Sequence, residues 1–215
     1  MSTAKGRSIK LLALALGLLI AVGAWILLGT PASDNVSQVI TEQWMQIYYD
    51  PDSPSTGMEG DVTIVVFLDY DIGDCRDAAL SLNALREADK RVRLVFKYIP
   101  ISAPGPDFAA RAASAAAKQD MFLLLHKALL QGPLPTETSV IAAAERAGLD
   151  TKRLRADMDN PTIAAALKRN KTLMGELGIS SLPAFIVGGQ LYRGTIDREA
   201  LSVAVARVRT NPSMQ

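Results

Sequence analysis

The sequence predicts an α/β domain in which a βαβ unit, a block of helices and a ββα unit follow one another. Three observations carry this reading. A continuous β-branched run, Val62 to Leu68, and an alternating run, Val92 to Ile99, bracket a helix-like stretch from Cys75 to Asp89. Helical patterning then continues in pieces from Asp107 to Leu177. Gly188-Gly189 joins two short runs, Ala184 to Val187 and Gln190 to Arg193, as a tight hairpin turn does.

The chain begins with Lys5, Arg7 and Lys10, then an apolar run from Leu11 to Gly29. No further Lys or Arg occurs until Arg76, while Asp34, Glu42, Asp50, Asp52, Glu59, Asp61, Asp69, Asp71 and Asp74 fill the interval. Basic residues before an apolar span, and none after it, place residues 1–10 in the cytoplasm and the rest outside it. The run is near the roughly 20 residues of a membrane-spanning helix and longer than the about 7–15 of a secretory core. Trp25 lies near one end, as an interfacial anchor does. Thr30-Pro31-Ala32 also offers the small residues of a cleavage site. Two expectations follow: a single-pass anchor at 11–29 in a bacterial inner membrane with a periplasmic C-terminal domain, or a soluble periplasmic protein after signal cleavage.

Residues 30–60 read as a linker and an amphipathic helix. Val36, Ile40, Trp44, Ile47 and Tyr48 are helically spaced, with Asp34 and Ser37 as candidate caps. That helix either packs on its own domain or serves as an oligomerisation stalk. Pro51, Ser53, Pro54, Gly57 and Gly60 are turn chemistry. The uninterrupted apolar run Val62–Leu68 reads as a central strand buried on both faces. The second strand, apolar at Val92, Leu94 and Phe96, reads as half-buried. Two strands and a helix in so short a span make parallel neighbours.

In the helical block, Ala109 to Lys118 and Met121 to Leu130 are followed by the breaker Gly132-Pro133-Leu134-Pro135. Thr136, or Ser139, opens a helix that Gly148 ends. Thr151 to Met158 is a short helix, and Pro161 suits the first turn of another that stops at Gly178. Asp197 caps a last helix through Val208, and 210–215 form a tail.

Composition narrows the chemistry. The 215 residues carry 23 Lys and Arg against 22 Asp and Glu, a net charge of +1. No clustered basic face is evident, so nucleic acid is not an expected partner. One Cys and one His cannot make a Cys/His zinc site, and no loop has the acidic spacing of a hard-cation site. No cofactor is expected. Gly-x-Ser-x-Gly is absent, Gly188-Gly189 is too short for a phosphate loop, and His126 on its helix reads as structural.

The motifs together carry a resemblance. Asp61-Val62-Thr63-Ile64-Val65-Val66-Phe67-Leu68-Asp69-Tyr70, Lys97-Tyr98-Ile99-Pro100-Ile101, Ala109-Ala110-Arg111-Ala112-Ala113, Leu177-Gly178-Ile179 and Leu182-Pro183-Ala184-Phe185-Ile186-Val187 resemble, in order, segments of the DsbA-like branch of bacterial periplasmic thiol–disulfide oxidoreductases. The resemblance implies a thioredoxin-like fold over 61–209 with a helical insertion at about 104–178, and a cis peptide before Pro183. Its motif runs Asp-Tyr, one residue, then Cys-Pro-x-Cys and often a basic residue. Laid on this chain, the attacking cysteine falls at Ile72, the proline at Gly73, the resolving cysteine at Cys75 and the basic residue at Arg76.

Cys75 is the only cysteine, so no internal disulfide can form. Dithiol exchange needs an attacking thiolate and a second thiol to resolve the mixed disulfide. The leading expectation is therefore a polypeptide-binding, chaperone-like accessory protein. It would hold extended or partly folded exported polypeptides at Ile72, Gly73, Leu182 and Pro183, with an exposed apolar patch around Ile72. The alternative is a single-thiol protein in which Cys75 forms mixed disulfides with glutathione or a protein partner. Homo-oligomers, joined through Cys75 or through the Val36–Tyr49 helix, are a third expectation. Asp71, Asp74 and Asp77 are expected to oppose ionisation of Cys75, with Arg76 and the helix N-terminus favouring it. Asp74 is the expected N-cap.

Overall fold

A computed structural model describes residues 32–101 and 107–211. The expected membrane segment 11–29, the basic residues before it, the loop 102–106 and the tail 212–215 lie outside the described residues. Among the described residues no helix is long and apolar enough to cross a membrane.

The elements are α1 (Ala32–Glu42), α2 (Trp44–Tyr48), β1 (Val62–Leu68), α3 (Gly73–Ala88), β2 (Val92–Tyr98), α4 (Phe108–Ala117), α5 (Phe122–Gln131), α6 (Glu137–Arg146), α7 (Thr151–Met158), α8 (Pro161–Glu176), β3 (Ala184–Val187), β4 (Gln190–Arg193) and α9 (Arg198–Thr210). The sheet order is β2-β1-β3-β4. β1 pairs with β2 in parallel, Val62 beside Val92 through Leu68 beside Tyr98. It pairs with β3 antiparallel, Phe67 beside Ala184. A short parallel pair needs a helical crossover, which α3 supplies. The antiparallel β3–β4 hairpin needs only its two glycines, at φ +54° and +70°, the left-handed pair of a tight turn.

Several element ends differ from expectation for local reasons. The first helix starts at Ala32, inside the expected linker, so neither Asp34 nor Ser37 is its N-cap; a break at Gln43 separates it from α2. Ile40, Ile47 and Tyr48 are buried in the core. Thr136 caps α6 reciprocally with Ser139, so both candidate residues serve. Asp150, Asn160 and Asp197 cap α7, α8 and α9.

β2 departs most from expectation. Alternation implied a half-exposed strand, yet all seven residues are buried, Arg93 and Lys97 included. The segment after α2 closes over this edge: Phe96 N–H donates to Pro54 O at 2.9 Å and Thr56 N–H to Leu94 O at 3.0 Å. Lys97 Nζ donates to Gln46 O at 2.5 Å and Ser53 Oγ at 2.9 Å, and lies 3.4 Å from Asp50 Oδ2. Arg169 of α8 reaches Asp50 and Asp52 from the other side. Arg93 donates to Gly57 O and Tyr48 O, both at 2.7 Å. Buried cations are tolerated only when so partnered. Burial still lowers the Lys97 pKa to about 8, against the pull of Asp50.

The inserted helices centre on α4, whose Ala109, Ala110, Ala112, Ala113, Ala115 and Ala116 are all buried. Small side chains let α5, α6, α7 and α8 approach it closely. Between this block and the sheet lies a polar triangle. Tyr70 Oη is 2.6 Å from His126 Nδ1 and 2.7 Å from Tyr98 Oη, and Tyr98 Oη is 3.1 Å from the same ring nitrogen. Phe96 and Phe122 pack on the imidazole. His126 is structural, as its helical apolar setting suggested. Burial depresses its pKa from 6.5 to about 3.

Between those two values the unfolded chain binds a proton that the folded chain does not, so stability is lost as pH falls below 6.5. Urea unfolding between pH 7 and 4 should show the loss, with a His126 contribution of up to about 1.4 kcal/mol per pH unit. His126→Leu should flatten the slope even where it lowers stability at neutral pH.

Candidate functional site

The end of β1 and the start of β3 lie side by side because Phe67 pairs with Ala184. Pro183 immediately precedes that pair, and residues 69–72 lead from β1 into α3. The sheet therefore brings the Leu182–Pro183 loop and the N-terminus of α3 to one end. The Leu182–Pro183 peptide is cis, as the resemblance implied. Pro183 O accepts from Gly194 N–H at 2.9 Å, which fixes the loop to the hairpin.

Helix α3 begins two residues before the sequence suggested. Ile72, not Asp74, is its N-cap; Asp74 sits in the first turn, where a carboxylate favours the helix dipole. An isoleucine N-cap supplies no acceptor, and no side chain caps this helix. Cys75 and Arg76 N–H donate instead to Ile72 O, at 3.1 and 3.2 Å.

Cys75 is fully buried and free. Burial pushes its thiol up to about 12; the carboxylates of Asp69 and Asp74 add to this, and a backbone hydrogen bond at Asp69 opposes it. Of the expected acidic neighbours, Asp74 raises the thiol pKa. Asp69, for which the resemblance implies a structural or proton-relay carboxylate, also raises it. It is buried and accepts from Asp71 N–H at 3.1 Å and Ile101 N–H at 2.9 Å, tying the ends of β1 and β2 together.

Arg76 is also turned to a different use from the one expected. Its guanidinium donates to Leu129 O, Leu130 O and Gly132 O at 3.0, 2.7 and 2.5 Å, capping the C-terminus of α5. Little in the sequence signals this contact, since Arg76 and Leu129 are joined only by the fold.

The expected exposed apolar patch is not found. Ile72 is half-buried against the core, and Leu182 and Pro183 are buried. The exposed surface here is Gly73 and Asp74 on one side and Ser180 and Ser181 on the other. The Ile72 side chain turns inward because, as a β-branched apolar group before the first helical turn, it gains more from the core than from water. A Cβ placed on Gly73 would meet nothing within 4 Å, so the site is open above that residue.

The sequence matches the family model described as Thioredoxin over residues 55–207. The chain belongs to the thioredoxin family. This thioredoxin-family chain is 39% identical to a thioredoxin-like oxidoreductase from Silicibacter pomeroyi DSS-3, whose crystal structure superposes with a TM-score of 0.73 over 77% of this chain and 97% of that one. It shares the fold of the thiol–disulfide exchange protein α-DsbA2 from Wolbachia pipientis, at 24% identity and a TM-score of 0.74 over 84% of this chain and 100% of that one. It is also 29% identical, over 175 residues, to Na(+)/H(+) antiporter NhaA 1 of Salinispora arenicola (strain CNS-205). That match covers 80% of this chain and 27% of the antiporter, so the chain spans about a quarter of the length of the curated relatives it matches.

The thiolate is the reactive form of cysteine. A rise from 9.0 to about 12 lowers the thiolate fraction near neutral pH by about a thousandfold. Iodoacetamide should therefore label Cys75 in the native chain at least about a thousandfold more slowly than an ordinary exposed thiol, and at an ordinary rate after denaturation. Mass spectrometry of timed aliquots measures both.

Proposed function

We propose that this thioredoxin-family chain is a polypeptide-binding accessory protein with a degenerate redox site, and not a dithiol oxidoreductase. The observation that carries the reading is the start of α3. The position of the attacking thiol holds Ile72, and the one thiol lies fully buried behind it with a raised pKa. Exchange by thiolate attack has no accessible starting atom there. The same burial weighs against the single-thiol alternative, because glutathione would have to reach a buried thiol held neutral.

Support for binding comes from the scaffold that remains. The cis-proline loop and the N-terminus of α3 flank an exposed strip formed by Gly73, Asp74, Ser180 and Ser181. A strip of small and polar residues suits an extended backbone, recognised through main-chain hydrogen bonds, better than one large apolar side chain. The expected clients are extended or partly folded exported polypeptides. The location we propose, an inner-membrane anchor with the domain in the periplasm, rests on the basic and then apolar pattern of residues 5–29.

Purified wild-type chain should neither reduce insulin nor oxidise a reduced, unfolded substrate. Ile72→Cys should form a 72–75 disulfide and gain that oxidation; a folded variant with no such disulfide would show that the motif register is wrong. Gly73→Trp, which enters open space, should keep stability unchanged and weaken binding of unfolded, carboxymethylated lactalbumin by about tenfold. Unchanged binding would remove the strip from the account.

A further inference from the structure

The four-stranded sheet has one covered edge and one open edge. β2 is closed by Pro54 and Thr56, as described above. Beyond β4 no strand lies among the described residues. The hairpin shows which backbone groups face out. Gly194 N–H donates to Pro183 O. Antiparallel pairs alternate between bonded and non-bonded, so Arg193 opposite Ala184 and Leu191 opposite Ile186 are the non-bonded pairs. The N–H and C=O groups of Leu191 and Arg193 therefore point away from β3, toward the open edge.

Beside this edge runs one stripe of α9. Glu199, Val203 and Arg207 are spaced four apart and exposed, and Val203 has 56% of its surface accessible. Tyr192, Ile196 and Ala200 complete a shallow groove between β4 and the helix. Open edges bordered by apolar side chains invite pairing with another strand, and no Pro or Lys guards this one.

The charge pattern names the occupant. Val203 stands at the centre of the stripe, with the acidic Glu199 one turn before it and the basic Arg207 one turn after. A two-fold rotation about Val203 lays each Glu199 against an Arg207. A two-fold axis at this edge also runs β4 antiparallel to its copy, with Leu191 opposite Arg193 and no like charges facing each other within the strand pair. A face complementary to itself in this way fits an isologous contact.

We propose that β4 and α9 join two copies of this chain, edge to edge, into one continuous sheet, with the α9 helices packed across the axis. This interface does not include Cys75, which is buried, and it does not depend on the proposed function.

The test uses the full chain, whose one natural cysteine is buried. Val203→Cys, oxidised with copper–phenanthroline, should run as a cross-linked dimer on a non-reducing gel; Thr138→Cys, on the exposed side of α6, should not. In the Val203→Cys background, Glu199→Arg should lower the dimer about tenfold or more through like-charge contact with Arg207, and Glu199→Arg with Arg207→Glu should restore it. Leu191→Pro removes an outward N–H that the monomer does not use, and it should also reduce the dimer. Absence of the Val203→Cys dimer would overturn the proposal, as would equal cross-linking at Thr138→Cys or indifference to the charge swap. So would protection of Val203→Cys from maleimide by carboxymethylated lactalbumin without any dimer, which would assign the edge to clients.

Discussion

The central strand β1 is the constraint on which the rest depends. It accepts β2 in parallel on one side and β3 antiparallel on the other. The parallel pairing demands a crossover, and α3 provides it. The antiparallel pairing then brings the cis-proline loop beside the strand end from which α3 departs. No residue of the site itself makes this arrangement. It follows from a seven-residue β-branched run with six buried side chains, and from the hydrophobic free energy gained by covering both of its faces. A thioredoxin-type site can therefore lose its chemistry and keep its geometry.

The two residues after Asp74 illustrate how little of the scaffold depends on a reacting thiol. Cys75 contributes as a small buried hydrophobe among the β1, α3 and inserted-helix side chains, a role indifferent to whether a second sulfur is present. Arg76, next in sequence, supplies three charge-assisted hydrogen bonds to the carbonyls that end α5. Through Arg76 the first turn of α3 is fastened to the insertion, and through Asp69 to the start of the loop after β2. The site's framework is held by polar contacts of its neighbours, none of which involves a thiol.

Much of this was legible in the sequence. Long apolar periodicity located β1, β3, β4 and α7 to the residue, because strands between turn signals and a helix between clear caps leave little freedom. The Thr136 and Asp197 caps, and Pro161 in a first helical turn, were readable for the same reason. What was not legible came from contacts distant along the chain. Alternation in β2 pointed to solvent for Arg93 and Lys97, but the chain from Gln46 to Gly57 folds over that edge and offers carbonyls, a hydroxyl and a carboxylate to both cations. The N-cap at Ile72 was missed because a capping residue with an oxygen, Asp74, stood nearby and is the usual choice. The direction of the Ile72 side chain was missed because a resemblance to an exposed cysteine position says nothing about where an isoleucine packs.

That last difference changes how a polypeptide would be held. An outward Ile72 would recognise apolar side chains, and binding strength would follow client hydrophobicity. With Ile72 turned inward, the exposed strip offers little apolar area, so affinity must come mainly from backbone hydrogen bonds, each worth about 1 kcal/mol net. Such binding is weak for one strand and tolerant of sequence, and it becomes useful when two sites act on one chain. A symmetric dimer would supply that second site. With two strips in one assembly, a client released from the first is still confined near the second, so modest single-site affinity rises by effective concentration with no new contact. Under the proposed function the domain forms no covalent intermediate with its client, and avidity is the physical means left to it.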